Sequence, residues 1–386
     1  MVEYFLFFYL VIYLRVKGFE FNLRELGGSL GDFGTLLPFT VGYIVICGFD
    51  PAGLLFGIGL TNIFLSLVYR LPLPVQPKKV VGSVALAQAW SVPQVLGAGF
   101  GLGILWIVLS VSDTLSDLLM RVPKPVVRGI QLGLAISLAL TGAELMEQQL
   151  AMSLLFLFIG FLMLRNRYLP SSILLILFGF IYSIITGHLD LHAIQMGISL
   201  PSFHTFSLDD IIYGFVYAGF AQIFLTLTNA VIATVSLVHE LFPDRRDVTP
   251  KNLIMNMGFM NILTPFIGGM PLCHGAGGLA AQYMFGARTG GAMLMEGVIE
   301  VSLGLFFSRS IQDIFTAFPG FITGVMLLMA SVELGRVAFR IEGMNVSVVL
   351  FTALLSAVFN IAIGFTAGLI LYYAVEGGII RLGGET

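Results

Sequence analysis

Gly268-Gly-Met-Pro-Leu-Cys-His-Gly-Ala-Gly-Gly-Leu-Ala-Ala-Gln-Tyr-Met-Phe-Gly-Ala-Arg-Thr-Gly290 decides how the rest of the chain is read. Its seven glycines and one proline leave no apolar run long enough to cross a bilayer, yet membrane-helix sequence lies on both sides of it. Such a stretch suits an extended strand running into a helix that begins part-way across the membrane. A half-helix of this kind points unpaired N–H groups and the positive end of its dipole at the bilayer centre. The guest that such an end attracts is an oxyanion.

Working outward, the 386 residues are 57% apolar and 11% charged, against about 25% charged in soluble proteins. Apolar runs recur along the whole length, which excludes a soluble domain on one anchor and predicts an all-α polytopic membrane protein. The net charge of −3 says nothing about partners, because the charges sit in connections, and nothing points to nucleic acid. Cys47 and Cys273 are far apart in apolar surroundings, so no disulfide framework is expected. Met1–Leu14 is apolar and aromatic but spans only about half a bilayer. It lacks the basic start and small-residue cleavage site of a signal peptide. Residues 1–24 are read as an N-terminal interfacial segment or a non-functional extension.

The first span opens on Glu25-Leu-Gly-Gly-Ser-Leu-Gly-Asp-Phe-Gly-Thr-Leu-Leu-Pro-Phe39 and runs to about Gly48. Asp32 in it either caps a helix start in the headgroup layer or faces a cavity, since acids inside spans are expensive and rarely idle. Pro51–Arg70 is a second span. Leu71-Pro-Leu-Pro-Val-Gln-Pro-Lys-Lys-Val80 then breaks the pattern, because its three prolines cannot lie within a continuous helix. With a short helix from about Lys78 to Ala89, it is the counterpart of the stretch at 268–290. Spans at 93–112, 125–142, 152–164 and 170–187 follow, with an amphipathic surface segment at 113–122. The connection at 188–210 is poor in Lys and Arg and is placed outside. A long span at 211–237 carries Gln222 and Thr226-Leu-Thr-Asn-Ala230, and segments at 252–267, 290–307, 308–318, 319–334, 346–359 and 363–373 complete the chain. Nearly all basic clusters then fall on one side, which puts both termini in the cytoplasm of a plasma-membrane protein.

An internal repeat supports this layout. Pro74-Val-Gln-Pro-Lys-Lys79 aligns with Pro271-Leu-Cys-His-Gly-Ala276, and Pro125-Val-Val-Arg-Gly-Ile130 with Pro319-Gly-Phe-Ile-Thr-Gly-Val325. Thr35 falls near Asn229. The offsets are all roughly 195 residues, which predicts two inverted repeats, 25–205 and 206–386, with a substrate site where their interrupted segments meet near the midplane. Two half-helix starts would each bring about half a positive charge to that point. Candidate binding residues are Gln76, Lys78 and Lys79 at one start and Cys273, His274, Gly275, Ala276 and Gly277 at the other. Asp32, Thr35, Thr228 and Asn229 join them from the flanking spans. The glycines leave N–H groups uncovered, as a tetrahedral oxyanion needs.

Adjacent Lys78 and Lys79 cannot both face the site, so one snorkels or lines the cytoplasmic entrance. His274 is a structural hydrogen-bond partner, a substrate donor or a proton carrier. Cys273 packs rather than ligates, and no metal or cofactor is called for. Glu296 and Glu300 lie one turn apart in mid-span, as a coupling pair or a buried hydrogen-bonded pair. Asp32, His274, Glu296 and Glu300 are the candidate coupling residues.

G-D-F-G-T-L-L-P-F at 31–39, P-V-Q-P-K-K at 74–79, T-L-T-N-A-V at 226–231 and P-L-C-H-G-A-G-G-L-A-A-Q-Y-M-F-G-A-R-T-G at 271–290 resemble the molybdate transporter family, a branch of the sulfate permease superfamily. The resemblance covers nearly the full length. It implies two inverted halves of seven segments in a uracil/sulfate permease-like fold. A core domain, about 25–112 with 211–308, would hold the site. A gate domain, about 113–205 with 309–386, would carry homodimer contacts. It implies uptake of an oxyanion, molybdate first; sulfate, a dianion differing mainly in size, is the alternative, and the electrical cost of moving a dianion inward makes protons the simplest coupling ion. Lys78 stands where the family pattern is apolar, and Met284 where it commonly has Arg, which bears on the electrostatics of the entrance. A nucleobase permease of the same architecture calls for acids at the half-helix starts, where this chain has Gln, Lys, Cys and His. An enzyme using Cys273 and His274 as nucleophile and base is disfavoured, because adjacent residues at a helix start face each other poorly.

Overall fold

A computed structural model describes residues 14–16, 19–111, 113–114, 121–164, 171–339, 345–359, 361–377 and 379. The interfacial segment expected over 1–24 lies outside them up to residue 13, as does most of the surface segment expected at 113–122. An antiparallel pair, β1 (Leu14–Val16) and β2 (Phe19–Phe21), leads into α1 (Leu23–Ser29) and α2 (Phe33–Val45). The first span is therefore broken at residues 30–32 rather than continuous from Glu25. Two adjacent glycines, Ser29 and Gly31 weaken the helix there. Next come α3 (Pro51–Tyr69), β3 (Val75–Pro77), α4 (Lys79–Ala87) and α5 (Val92–Ser110). Then follow α6 (Lys124–Glu147), α7 (Leu150–Met163) and α8 (Ser171–Ile185).

The second half opens on one long helix over 208–241, α9, which winds as a π-helix at Phe215–Gly219 and again at Thr226–Ala233. It continues with α10 (Pro250–Leu263), β4 (Leu272–His274), α11 (Ala276–Met284) and α12 (Gly290–Phe307). It ends with α13 (Ile311–Thr316), α14 (Gly320–Ala338), α15 (Val346–Val358) and α16 (Ile361–Glu376). Among the described residues, α3, α5, α6 and α12 are each long and apolar enough to cross a bilayer. Residues 150–163, 171–185, 320–332, 346–358 and 363–376 form shorter apolar helices.

Polarity runs opposite to that of a soluble protein. On α3, Phe64 is 62% exposed while Asn62 is fully buried, and on α12 Val298 is 50% exposed while Glu300 is buried. Apolar side chains thus face outward, where lipid lies, and the costly polar groups face other helices. In the packing, α3 lies against α12 and α5 against α10 and the start of α9, while α6 gathers α14, α15 and α16. Without a hydrophobic drive between helices in lipid, close backbone approach has to supply the attraction. Two reciprocal glycine crossings do so. A Cβ on Gly59 would stand 2.8 Å from Gly297 O, and one on Gly297 2.5 Å from Gly59 O. Gly142 on α6 and Gly324 on α14 repeat the arrangement at 2.8 and 2.6 Å.

One further contact ties the halves together. Glu25 on α1 accepts from the N–H groups of Arg288 (2.9 Å), Thr289 (3.0 Å) and Ala292 (3.2 Å), so a first-half carboxylate caps the start of α12.

The glycine crossing yields a direct test. Gly297→Ala sets a methyl against a backbone carbonyl that cannot rotate away, and overpacking of this kind costs about 1–3 kcal/mol. Its thermal midpoint in detergent should fall well below wild type. Gly335→Ala, whose Cβ would meet nothing closer than 3.8 Å, should stay near wild type. Equal midpoints for the two variants would refute the close crossing.

Candidate functional site

The two breaks in the helical pattern meet. Strands β3 and β4 pair antiparallel, with Val75 opposite His274, Gln76 opposite Cys273 and Pro77 opposite Leu272. The Lys78 N–H extends the ladder to Pro271 O at 2.8 Å. Each strand runs directly into a nine-residue helix, α4 from β3 and α11 from β4. At about 13 Å long, each covers less than half of a hydrocarbon core of about 30 Å. The cap residues Lys78 and Gly275 are both extended, and neither supplies a side-chain cap. The first-turn N–H groups of both half-helices are therefore left to groups from elsewhere.

At α4 that group is Gln222 on α9. Its Oε1 accepts from Val80 N at 2.9 Å and Val81 N at 3.4 Å, and its Nε2 donates to Thr226 Oγ1 at 3.0 Å. At α11 the neighbour is Gln76, whose carboxamide lies across the helix start. A Cβ on Gly275 would stand 2.1 Å from Gln76 Oε1, and one on Gly278 2.5 Å from Gln76 Nε2, so a side chain at either position would push the Gln76 carboxamide aside. Gln76 Nε2 donates to both Asp32 oxygens, at 2.6 and 2.8 Å. Asp32 occupies the cap position of α2, where the sequence admits a helix start, and its two carboxylate oxygens are turned to Gln76.

The strands are braced from behind. Asn62 Oδ1 accepts from Val75 N at 3.1 Å and Asn62 Nδ2 donates to Glu300 Oε2 at 2.9 Å. Asn261 Oδ1 accepts from Leu272 N at 2.9 Å, and its Nδ2 donates to Leu272 O and Met257 O at 2.7 Å. Glu296 accepts from Gln282 Nε2 on α11 at 2.5 Å. Glu296 and Glu300 are thus tied to the two interrupted segments separately. His274 is engaged at both ring nitrogens, by Pro74 O at 3.2 Å and Asn256 Oδ1 at 2.9 Å. Tyr69, which bonds Asn256 at 2.5 Å, sets its ring edge-on to His274.

A small cavity sits between the half-helix starts, lined by Gln76, Lys79, Gln222, Thr226, Asn229 and Cys273 among others. It has room for roughly one water. Gln222, Thr226 and Asn229 share one face of α9 at positions i, i+4 and i+7, and its π-helical turn begins within that run. Asn229 is buried, and its Oδ1 has no hydrogen-bond partner among the described residues.

Of the sequence candidates, Gln76, Lys79, Asn229, Cys273 and His274 line this cavity, and Gly275, Ala276 and Gly277 form the start of α11. Asp32 reaches it through Gln76. Thr228 is buried with its hydroxyl toward Leu225 O, and it does not line the cavity. Thr35 belongs to α2, but its side chain lies outside the described residues. Lys78 does not snorkel: it is fully buried, and its Nζ lies 5.8 Å from the Trp106 ring centroid with no hydrogen-bond partner among the described residues. The Trp106 face offers a cation an electrostatic partner there. Missing from the sequence reading are the site role of Gln222 and the bracing by Asn62, Asn261, Asn256 and Gln282. The braces carried a signal, since Thr61-Asn-Ile-Phe64 and Met260-Asn-Ile-Leu263 repeat at the offset of the other matches.

Comparison with known proteins adds the following. A family profile described as "Molybdate transporter of MFS superfamily" matches residues 24–138 and 214–334. Molybdate transporter 1 of Arabidopsis thaliana is 30% identical, over 92% of this chain and 88% of that protein. Among solved structures, the transmembrane domain of the cyanobacterial bicarbonate transporter BicA aligns with a TM-score of 0.59 at 16% identity, over 89% of this chain and 96% of that one. Murine Solute Carrier 26 family member A9, an anion transporter in the inward-facing state, aligns at 0.63 and 11% identity, over 97% and 72%. At these identities the two structures speak for the fold alone.

The braces can be tested as a pair. Asn62→Ala leaves the Val75 N–H without its partner in the protein interior, a loss of about 1–3 kcal/mol. Asn261→Ala should lower the thermal midpoint similarly through Leu272. Because Glu300 shares Asn62, Asn62→Ala combined with Glu300→Gln should cost less than the sum of the two single changes. Strict additivity in a thermal or denaturant series would reject the shared contact.

Proposed function

The chain belongs to the molybdate transporter family, and from that premise we propose that it takes up molybdate by secondary active transport, holding the anion between the starts of α4 and α11. The observation that carries the reading is the β3–β4 pairing, which brings two half-helix N-termini, Lys79 and several carboxamides to one cavity. Two dipole ends add positive potential to the charge of Lys79. Neutral donors can suit a transport site, because a site that holds its ion too tightly does not release it. Sulfate, another tetrahedral dianion, is the second candidate.

The motion that fits is alternating access, with the half-helix unit moving as a body against α6, α14, α15 and α16. The core would be residues 25–112 with 211–308, and the gate 113–205 with 309–386. In this reading the two halves are inverted repeats, the gate carries any homodimer contact, and both termini face the cytoplasm beneath the plasma membrane. Arg128 on α6 meets Glu240 on α9 at 2.9 Å, and Gln131 donates to Ala233 O at 3.3 Å; these contacts have to rearrange if the two bodies move.

Moving a dianion inward against an inside-negative potential of 100 mV costs about 5 kcal/mol. For uphill uptake this cost is offset by coupling to at least two cations, of which protons are the simplest. Asp32, Glu296 and Glu300 are the carriers of choice. His274 is the fourth candidate, its two ring nitrogens lying within hydrogen-bond reach of Pro74 O and Asn256 Oδ1.

Purified protein should bind molybdate and tungstate, and excess sulfate should displace them only weakly. In proteoliposomes, molybdate entry should rise with an inwardly directed proton gradient and fall when a protonophore collapses it. Entry indifferent to the protonophore rejects proton coupling, and sulfate competing on equal terms rejects molybdate as the preferred anion.

A further inference from the structure

Gln222 sits where an anion's oxygen would sit. The α4 start has no cap of its own, yet two of its first-turn N–H groups already have an acceptor, the Gln222 Oε1 at 2.9 and 3.4 Å. The bond from Gln222 Nε2 to Thr226 Oγ1 fixes the amide so that its oxygen faces the helix start. Gln222 is buried and lines the same cavity as Lys79 and Asn229. Asn229 presents its carboxamide there with Oδ1 unpartnered among the described residues. The cavity holds roughly one water, too little for a tetrahedral oxyanion.

We propose that Gln222 is an internal competitor for the anion, a carboxamide oxygen that caps α4 in the empty site and is displaced when the oxyanion binds. This rests on the transport reading above. Swinging the carboxamide off the helix start does two things together: it frees the Val80 and Val81 N–H groups and it opens the volume the anion needs. Binding becomes an exchange in which the same N–H groups pass from a neutral oxygen to a charged one. The empty site never leaves those donors bare in a low-dielectric interior, where an unpaired N–H is costly. The bound anion, in turn, faces a tethered group ready to retake the donors, which favours release on the far side. Gln76 does not play the same part at α11, because its Nε2 is committed to Asp32 and its carboxamide fills the space left by Gly275 and Gly278.

The test is a set of molybdate isotherms on purified full-length protein. Gln222→Met keeps the volume and removes the acceptor, and Gln222→Ala removes both. Each should bind molybdate about three- to tenfold more tightly than wild type, the factor that one internal hydrogen bond is worth. Thr226→Val, which leaves Gln222 but unties its amide, should shift affinity in the same direction by a smaller factor and gives a reading if the position-222 variants do not fold. Gln222→Glu places a charged oxygen on the same donors and should weaken binding more than tenfold. Weaker or unchanged affinity in Gln222→Met, Gln222→Ala and Thr226→Val alike would overturn the proposal, making Gln222 a direct ligand or a purely structural cap. Failure of wild type itself to bind molybdate, tungstate or sulfate would instead bring down the transport reading on which the proposal stands.

Discussion

Extended backbone has no hydrogen bonds of its own to offer, and in the middle of a membrane protein there is no water to supply them. This chain places such backbone there twice, at Val75–Pro77 and Leu272–His274, and meets the demand by pairing one strand with the other. Neither break is tolerable alone. Each half of the sequence supplies the partner the other half lacks, and Asn62 and Asn261 take up N–H groups of Val75 and Leu272 from the helices behind. The directions of α4 and α11 follow from this, since each is the continuation of a strand whose register is set by its partner. A site between their starts is a consequence of satisfying the backbone, and glycine at 275 and 278 then lets Gln76 lie against α11.

The sequence shows these breaks plainly because proline and glycine exclude continuous helix for local reasons. Pro72, Pro74 and Pro77 lie before one half-helix, and the glycines of 268–278 surround the start of the other. The break between α1 and α2 was harder to see, because Gly27, Gly28 and Gly31 weaken a helix without forbidding it, and tertiary contact decides the outcome. Side-chain direction was less legible still. Nothing local distinguishes Lys78 from Lys79; the difference comes from Trp106 on α5, which the chain reaches only after another turn of packing. Gln222 could be placed on an inward face of α9 by its spacing from Thr226 and Asn229. That its oxygen meets Val80 and Val81 depends on how α9 crosses α4, which no periodicity in either segment contains.

Glu25 is held by backbone N–H groups, but the three buried acids beside the interrupted segments share another kind of partner. Asp32 accepts from Gln76, Glu296 from Gln282 and Glu300 from the Asn62 amide. In each case a carboxamide donates to the carboxylate. An ion pair with Lys or Arg would hold the carboxylate in its charged form and oppose uptake of a proton. A carboxamide presents donors on one side and an acceptor on the other, so it can bond a carboxylate through its N–H₂ and a protonated acid through its oxygen after a half-turn. Where the carboxamide oxygen holds no backbone bond, as at Gln282, the pairing survives a change of protonation state without stranding a buried polar group.

That partnership bears on what each acid can transmit. Glu296 is bonded to α11 itself, while Glu300 acts on β3 through Asn62, whose other end holds the Val75 N–H. If the Asn62 amide turned over to meet a protonated Glu300, it would withdraw its oxygen from Val75 and offer N–H₂ to another N–H, so the strand would lose its brace. The equivalent turn of Gln282 beside Glu296 displaces no backbone bond in the ribbon. Glu300 is thus the acid joined through one carboxamide to the strand leading into α4, the half-helix whose start Gln222 caps. Glu300, through Asn62, and Gln222 therefore bear on the two ends of one short segment, Val75–Val81, and it is through this segment that the proposed proton and anion would act on each other.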